Sequence, residues 1–561
     1  MFIGIDIGGT FTDGVVFDGK DIVAEAKEAT NAEDISISIL AVLDAVLAGV
    51  DAQKVKRVVL STTLVTNIVV TGRGAPTALI LMPGYGLPYD KYGLGKDQYF
   101  VDGAIDFRGR EIDAPDQEAI YQALSAIKAN RIDLIAVAGK FSNRNPKHEQ
   151  LVRDIIRKDA GNIQCYLSSD ISGRLNFPRR AATAYFTAMV LPEWLAFAEL
   201  IGQAVKARCP QADIYMLKAD GGTIPLAAVD QCPCETIFSG PAASTMGAAA
   251  MTEDVLNSVV IDVGGTTCDI SLLVEGRPLY AHKGAALAGH YLNVDAFAVK
   301  SVALGGDSKV YYDAAIGTVD IAPYREGPAL CFGGQTLTVT DILNVHLQLG
   351  LGEGERSREG AEALAVQAKM SAPQLCAQIA EQVILTLVNE VKYMFTQWEN
   401  EPAYKVWEVI NKTSFRLDQV IGIGAAAAVI VPEVARHLSA SAVIHPYAPV
   451  ANALGAAVAR PTLAVQVHVD TGQKICTVDP GGKRLDLSSG CDYTLNEVKE
   501  TALKQLRQLS AEQGTADYAD RYTFFWEEQF NVIQGWTTAN KIIDVGVQIA
   551  PGFIDEFKGV K

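Results

Sequence analysis

Two stretches of this chain carry the same polar residues at the same spacing. Residues 3–20 read IGIDIGGTFTDGVVFDGK, and residues 259–277 read VVIDVGGTTCDISLLVEGR. Asp6 falls on Asp262, Gly8 and Gly9 on Gly264 and Gly265, Thr10 on Thr266, and Asp13 on Asp269, each pair 256 positions apart. A Gly-Gly hairpin alone is ordinary turn chemistry. A repeat that keeps carboxylates and hydroxyls as well as apolar flanks points to a ligand. Glycine lets the backbone come close to an anion and tolerates φ > 0. Consecutive N–H groups then form a nest for phosphate oxygens, and the Thr10 and Thr266 hydroxyls add donors. Asp6 and Asp262 would repel phosphate, so they suit the surroundings of a Mg²⁺ ion. No G-x-x-x-x-G-K-[ST] occurs, and the glycines lead into a strand and not a helix, which leaves neither a P-loop nor a Rossmann fingerprint.

Turns of this kind need strands on both sides, and the neighbouring segments supply more of them. Thr77–Met82 and Ile132–Ala138 are short apolar runs bounded by turns, the pattern of buried parallel strands. Ala32–Leu47 and the segment from Pro115 have helical spacing, the latter with an acidic first turn and a late lysine. Strands alternating with helices argue for an α/β fold. Asp213–Leu217 reads as a strand ending in K-A-D-G-G-T, a polar strand end of the kind where α/β folds place ligands. Gly305-Gly306 marks another turn, and Ile421–Pro432 reads as a strand, a glycine turn and a helix. The small residues of 237–250 suit close helix packing. Leu375, Ile379, Val383, Leu387 and Val391 form a core stripe. Residues 352–362, GEGERSREGAE, read as a solvated loop. Beyond Pro461 the pattern changes to a separate small module, β-like at Tyr522–Phe525 and Lys541–Val547.

The totals narrow the function classes. Of 561 residues, 49% are apolar and 20% charged, enough for a large core. With 48 Lys and Arg against 65 Asp and Glu, the net charge of −17 argues against nucleic acid or anionic membrane as partner. Nine cysteines without a regular framework suit a reducing compartment. No basic leader precedes the first strand, and no uncharged apolar run reaches the ~18 residues of a membrane span. A cytoplasmic protein is expected. His148 reads as a satisfied loop histidine.

Seven motifs then follow one another in order. They are D-I-G-G-T-F-T-D (6–13), S-T-T-L-V-T-N (61–67) with R-G-A (73–75), S-x-R-N-P-x-H-E (142–149), S-G-P-A-A (239–243), D-V-G-G-T-T-C-D-I-S-L (262–272), T-V-T-D (338–341) and A-L-G-A (453–456). From Gly4 to about Ala459 the chain resembles the A-type subunit of the hydantoinase/oxoprolinase family. The resemblance implies an α/β protein of two actin-like (ribonuclease H-like) domains facing each other across a nucleotide cleft, here 1–180 and 181–460, with a small C-terminal α+β module at 461–561. It implies ATP and Mg²⁺ as cofactors, phosphoryl transfer to a cyclic amide or ketone oxygen, and a B-type partner subunit. Carried onto this sequence, Gly8, Gly9, Thr10, Thr12, Gly264, Gly265, Thr266, Thr267, Gly305, Gly306, Gly422 and Gly424 would hold nucleotide. Asp6 and Asp262 would serve the metal, and Asp13 and Asp269 would be the catalytic carboxylates. The chain departs from the family at Ala427, Lys300, Asp307 and Asp220, and at Pro178–Ala182. The phosphate turns are therefore kept where the substrate lining has changed. Two alternatives stand beside the cyclic-amide hydrolase. One is an actin-like ATPase that remodels a partner protein, and the other is a stand-alone small-molecule kinase. A homo-oligomer is also possible on this reading.

Overall fold

A computed structural model describes the chain except residues 32, 87–92, 253–254, 401–415, 487–492, 535–536 and 561. The first sheet is built from β1 (Phe2–Ile7), β2 (Phe11–Phe17), β3 (Ile22–Ala29), β4 (Arg57–Thr62), β5 (Asp213–Leu217) and β6 (Thr223–Pro225), in the order β6-β5-β4-β1-β2-β3. β1 and β2 are antiparallel, whereas β4 runs parallel to β1 and β5 parallel to β4. The second sheet repeats the plan with β7 (Ser258–Val263), β8 (Cys268–Val274), β9 (Arg277–Pro278), β10 (Val299–Val302), β11 (Gln419–Ile423) and β12 (Ser441–Ile444). Its order is β9-β8-β7-β11-β12, with β10 also on β8. Again the hairpin is antiparallel and the next two strands are parallel. The sequence repeat is therefore a repeat of topology, and the expected pair of actin-like domains is what the chain forms. The boundary expected at residue 180 falls inside the helix α1 (Phe177–Arg208), and the first sheet continues beyond it through β5 and β6.

Each sheet is wrapped by apolar side chains that exclude water from its strands. β1 and β4 are buried along their whole length. α1 is long and apolar enough to cross a membrane by composition, but Phe186, Trp194 and Ile201 lie in the first core. A smaller parallel sheet, Gln164–Leu167, Leu134–Gly139, Thr77–Met82 and Gln98–Phe100, carries its own core in the first half. In the second half, the expected stripe Leu375–Val391 is the buried face of the helix Ala372–Glu399. Residues 352–362 differ from expectation. Gly354–Gln367 is a helix, because Ser357, Ala361, Leu364 and Ala365 recur at helical spacing and are buried. Among the described residues the C-terminal module is a five-stranded antiparallel sheet covered by the helix Leu495–Glu512.

Two helices join the halves, α2 (Ser239–Thr252) and α3 (Ala451–Val458). Their small residues let backbone meet backbone. A Cβ on Gly247 would collide with the Ala451 carbonyl, one on Gly455 with the Ala243 carbonyl, and one on Gly4 of β1 with the Ala453 carbonyl. The S-G-P-A-A and A-L-G-A motifs are thus packing signals that bring both sheets against one shared pair of helices.

Candidate functional site

Strand pairing sets the carboxylates. Asp6 lies opposite Asp13 across β1 and β2, and Asp262 lies opposite Asp269 across β7 and β8. Both turns close the same way, Gly8 N–H donating to Phe11 O at 3.0 Å and Gly264 N–H to Thr267 O at 3.0 Å. In each, a Cβ on the first glycine would sit 2.9 Å from that carbonyl, so no side chain fits. The turns face one another. A Cβ placed on Gly265 would come within 2.9 Å of Thr10 Oγ1 and of Asp307 Oδ2. Between them opens a cavity of about 450 Å³, lined by both turns and their four aspartates.

Asn452, at the start of α3, ties the halves together. Its Nδ2 donates to Asp6 Oδ2 at 3.2 Å and to Asp262 Oδ2 at 3.0 Å. Burial pushes Asp6 up to about 6, with the charges of Asp13 and Asp262 adding to it against the hydroxyl of Ser61 and the amide of Asn452. Burial does the same to Asp262, also up to about 6, helped by Asp269 and Asp13. Burial also raises Asp13 and Asp269. Two cations answer this charge. Lys27 Nζ pairs with Asp13 at 2.6 Å, and Arg325 Nε lies 3.4 Å from Asp307 while its Nη1 donates to Thr10 Oγ1 at 2.7 Å. Asp6, Asp262 and Asp269 have no basic partner among the described residues.

Asp6 Oδ1 and Asn452 Oδ1 are buried without a hydrogen-bond partner, and both residues line the cleft. Unpaired oxygens beside unpaired carboxylates fit a hard, oxygen-seeking cation such as Mg²⁺. Among the described residues no three His, Cys, Asp or Glu side chains converge closely enough to cage a metal. Beyond the turns the cleft becomes apolar, with Pro328, Phe332, Ile423 and Ala426 in its wall.

Gly8, Gly9, Thr10, Gly264, Gly265, Thr266, Thr267, Gly306 and Gly424 line the cavity with Asp6, Asp13, Asp262 and Asp269. Thr12, Gly305 and Gly422 do not. Thr12 is fully buried behind β2, sharing a 3.0 Å hydrogen bond with Thr30, whose hydroxyl donates to Gly8 O. Gly305 backs the second turn, where a Cβ would strike the Gly265 backbone. Gly422 lies within β11, where a Cβ would meet Ile444 and Ala427. These three shape the cleft from behind. Lys27, Arg325 and Asn452 complete it and were not read from the sequence as site residues, and Asp307, read there as a departure in the substrate lining, joins them. His148 is a buried helix residue 3.0 Å from Glu111, away from the cavity.

Residues 2–160 match the family description "Hydantoinase/oxoprolinase N-terminal region", and residues 180–465 match "Hydantoinase/oxoprolinase". The chain belongs to the hydantoinase/oxoprolinase family. Among its relatives in this family, it is 24% identical over 428 residues to the caprolactamase subunit alpha of Pseudomonas jessenii, covering 69% of this chain and 61% of that one. It is 25% identical over 435 residues to the acetone carboxylase beta subunit of Xanthobacter autotrophicus, covering 69% and 59%. The chain thus spans about three-fifths of the length of these relatives. A nucleotide-free acetone carboxylase structure superposes with a TM-score of 0.71 at 20% identity, over 99% of this chain and 88% of that one. The ATP-dependent caprolactamase of Pseudomonas jessenii also gives 0.71, at 18% identity over 97% and 87%. These likenesses show that the family fold extends through the C-terminal module.

Proposed function

We propose that this protein binds Mg–ATP in the cleft between its two actin-like halves and uses it to activate a small cyclic amide or ketone by phosphoryl transfer. The observation that carries the reading is the pair of matched glycine turns closing on one cavity from opposite halves, over Asp6, Asp262 and Asp269, which have no basic partner among the described residues. The Gly8–Thr10 and Gly264–Thr267 backbones would receive the phosphates, and Gly424 with the apolar wall would receive the nucleoside. Asp6 and Asp262 would hold Mg²⁺, which neutralises phosphate charge when bound. Arg325 and Lys27 are the side-chain cations available to the phosphates. Asp13 and Asp269 stand on the second strands of the two hairpins, where each would orient the acceptor or a cation-bound water. Phosphoryl transfer needs mainly such positioning and charge neutralisation. Its value to an amide is chemical: an oxygen that leaves poorly becomes one that leaves as phosphate.

The relatives named caprolactamase subunit alpha and acetone carboxylase beta subunit belong to multi-subunit enzymes. On that support, this chain works with a second subunit of the B type that completes the conversion. Isothermal titration with Mg–ATP tests the binding step, comparing the wild type with Asp262→Ala. Saturable binding that depends on Mg²⁺ and is lost in the variant is expected. Equal affinity in both, or no binding to the wild type, overturns the reading. ATP hydrolysis over a panel of lactams, hydantoins and ketones, with and without the partner, then identifies the acceptor.

A further inference from the structure

The T-V-T-D motif at 338–341 ends in a fully buried carboxylate, Asp341. It accepts from five donors: the N–H groups of Leu330 at 2.9 Å, Cys331 at 3.0 Å and Thr338 at 3.0 Å, and the hydroxyls of Thr338 at 3.0 Å and Ser357 at 2.7 Å. Two of them belong to the single turn Leu330–Phe332, so a carboxylate in the core pins that turn. Phe332 N–H closes the turn on Ala329 O at 2.9 Å, and Gly333 ends it at φ 87°. The three side chains then part. Leu330 packs against the second core and Cys331 is buried. Phe332 is left 57% exposed, in the wall of the cleft. A single exposed phenyl is ordinary. One that is held on a pinned turn inside a cleft offers a flat apolar face to a ligand.

The residues around it limit what can be recognised. Away from the glycine turns the cleft is lined by Pro328 and Phe332, by Ile423–Ala426, and by Ala448 and Pro449. No side chain among these carries a nitrogen, oxygen or sulfur. The carbonyls of Gly424, Ala426 and Ala448 already accept, from the N–H groups of Ala427, Val429 and Gly424. Pro328 and Pro449 have no N–H to give. Thr340 also lines the cleft, but it belongs with the second turn: its hydroxyl donates to Gly306 O at 2.8 Å, and Gly306 N–H donates to Gly264 O at 3.0 Å. Arg325 and Lys27 are likewise engaged at the turns, with Thr10, Asp307 and Asp13. A purine laid along this wall meets a ring for its face and no side chain that reads its edge. Adenine and guanine differ in the donors and acceptors of that edge.

We infer that Phe332 is the platform on which the nucleobase stacks, so that the cleft selects a purine by its face and takes adenine and guanine nucleotides almost equally. The inference rests on the proposed nucleotide site and adds to it the residue that grips the base and the absence of edge discrimination. Stacking on an aromatic ring is tolerant of base identity, because every base has a π-face. Strong rejection of the wrong base needs buried polar groups that this base would leave unpaired. The wall around Phe332 has no such side chain.

The test is calorimetric titration of the full chain with Mg–ADP, Mg–GDP and Mg–pyrophosphate, the last having no base. In the wild type the two nucleotides should bind within about fivefold of one another, the worth of one ordinary hydrogen bond. Phe332→Ala should weaken both by about tenfold and leave Mg–pyrophosphate unchanged. Phe332→Trp should keep the wild-type affinities, whereas Phe332→Leu, apolar but without a ring, should behave as Phe332→Ala does. Equal Mg–ADP affinity in the wild type and Phe332→Ala, or a wider preference for one base, overturns the inference and leaves the phosphate turns standing. Loss of Mg–pyrophosphate in Phe332→Ala makes the ring a structural element and overturns it too. Binding of neither nucleotides nor pyrophosphate by the wild type overturns the nucleotide site itself, and the platform with it.

Discussion

At the residue scale, the cleft concentrates acid where its proposed ligand is itself an anion, and two consequences follow. On the proposed function, protons and Mg²⁺ would compete for Asp6 and Asp262. Both carboxylates titrate near 6, above their ordinary value, because burial disfavours their charge. A raised carboxylate pKa means that the folded chain binds extra protons between about pH 4 and 6, so these groups favour the fold at the acid end and lose that contribution as pH rises through about 6. Mg²⁺ bound there would restore it by taking the charge. The thermal shift given by Mg–ADP should therefore be large at pH 7.5 and shrink steadily below about pH 6. A pH-independent shift in differential scanning fluorimetry would contradict it. The second consequence concerns Arg325, which spans Thr10 of one half and Asp307 of the other. Arg325→Gln should weaken Mg–ATP by about tenfold in calorimetry, with Arg325→Lys recovering part of the loss.

At the element scale, the fold depends on backbone-to-backbone contacts that no side chain can enter. A methyl on Gly247 or Gly455 would press α2 and α3 apart. Gly247→Ala should cost about 1–3 kcal/mol, as overpacking does, read as a lowered urea midpoint with Mg–ADP absent. Much of this scale was legible in the chain. The hairpins, the parallel strands after them and the helix from Ala372 follow from alternation and apolar spacing. Which face a residue points to was less legible. Thr12 and Asp13 are neighbours on β2 and project to opposite sides, so with Asp13 in the cleft Thr12 must lie behind it. That argument needs the strand, not the motif. The same pairing puts Lys27 of β3 beside Asp13, a cross-strand signal that a register would have given. Arg325 and Asn452 left no local signal. They reach the site only after chain segments far apart in sequence have folded together.

At the scale of the whole molecule, the C-terminal module is fastened to the first half. Arg108 makes a two-pronged contact with Asp470, both bonds 2.9 Å, and Gln473 returns a bond to the Arg108 carbonyl. Asp544 takes His468 at 2.8 Å and Arg144 at 3.4 Å. Asp470 is almost fully buried, and removing Arg108 takes away its ion pair while leaving the N–H donors of Gly472 and Gln473, at a cost of about 1.5–3 kcal/mol. Arg108→Ala should speed hydrogen exchange across 463–470 and 475–479 well before the first sheet, as seen by mass spectrometry. Equal protection in both would contradict the fastening. The module was legible as a change of pattern after Pro461 and in its last two strands, Tyr522–Gln534 and Thr537–Ile549, but its docking was not, because its partners lie hundreds of residues upstream.

One side chain has a consequence at all three scales. Asn452 has a single amide nitrogen, and its two hydrogens reach two carboxylates that belong to opposite halves of the chain. Separating the halves must therefore break at least one of those bonds, and tightening either bond draws the other carboxylate along. Whatever charge settles between Asp6 and Asp262 is thereby held against both halves through one amide group.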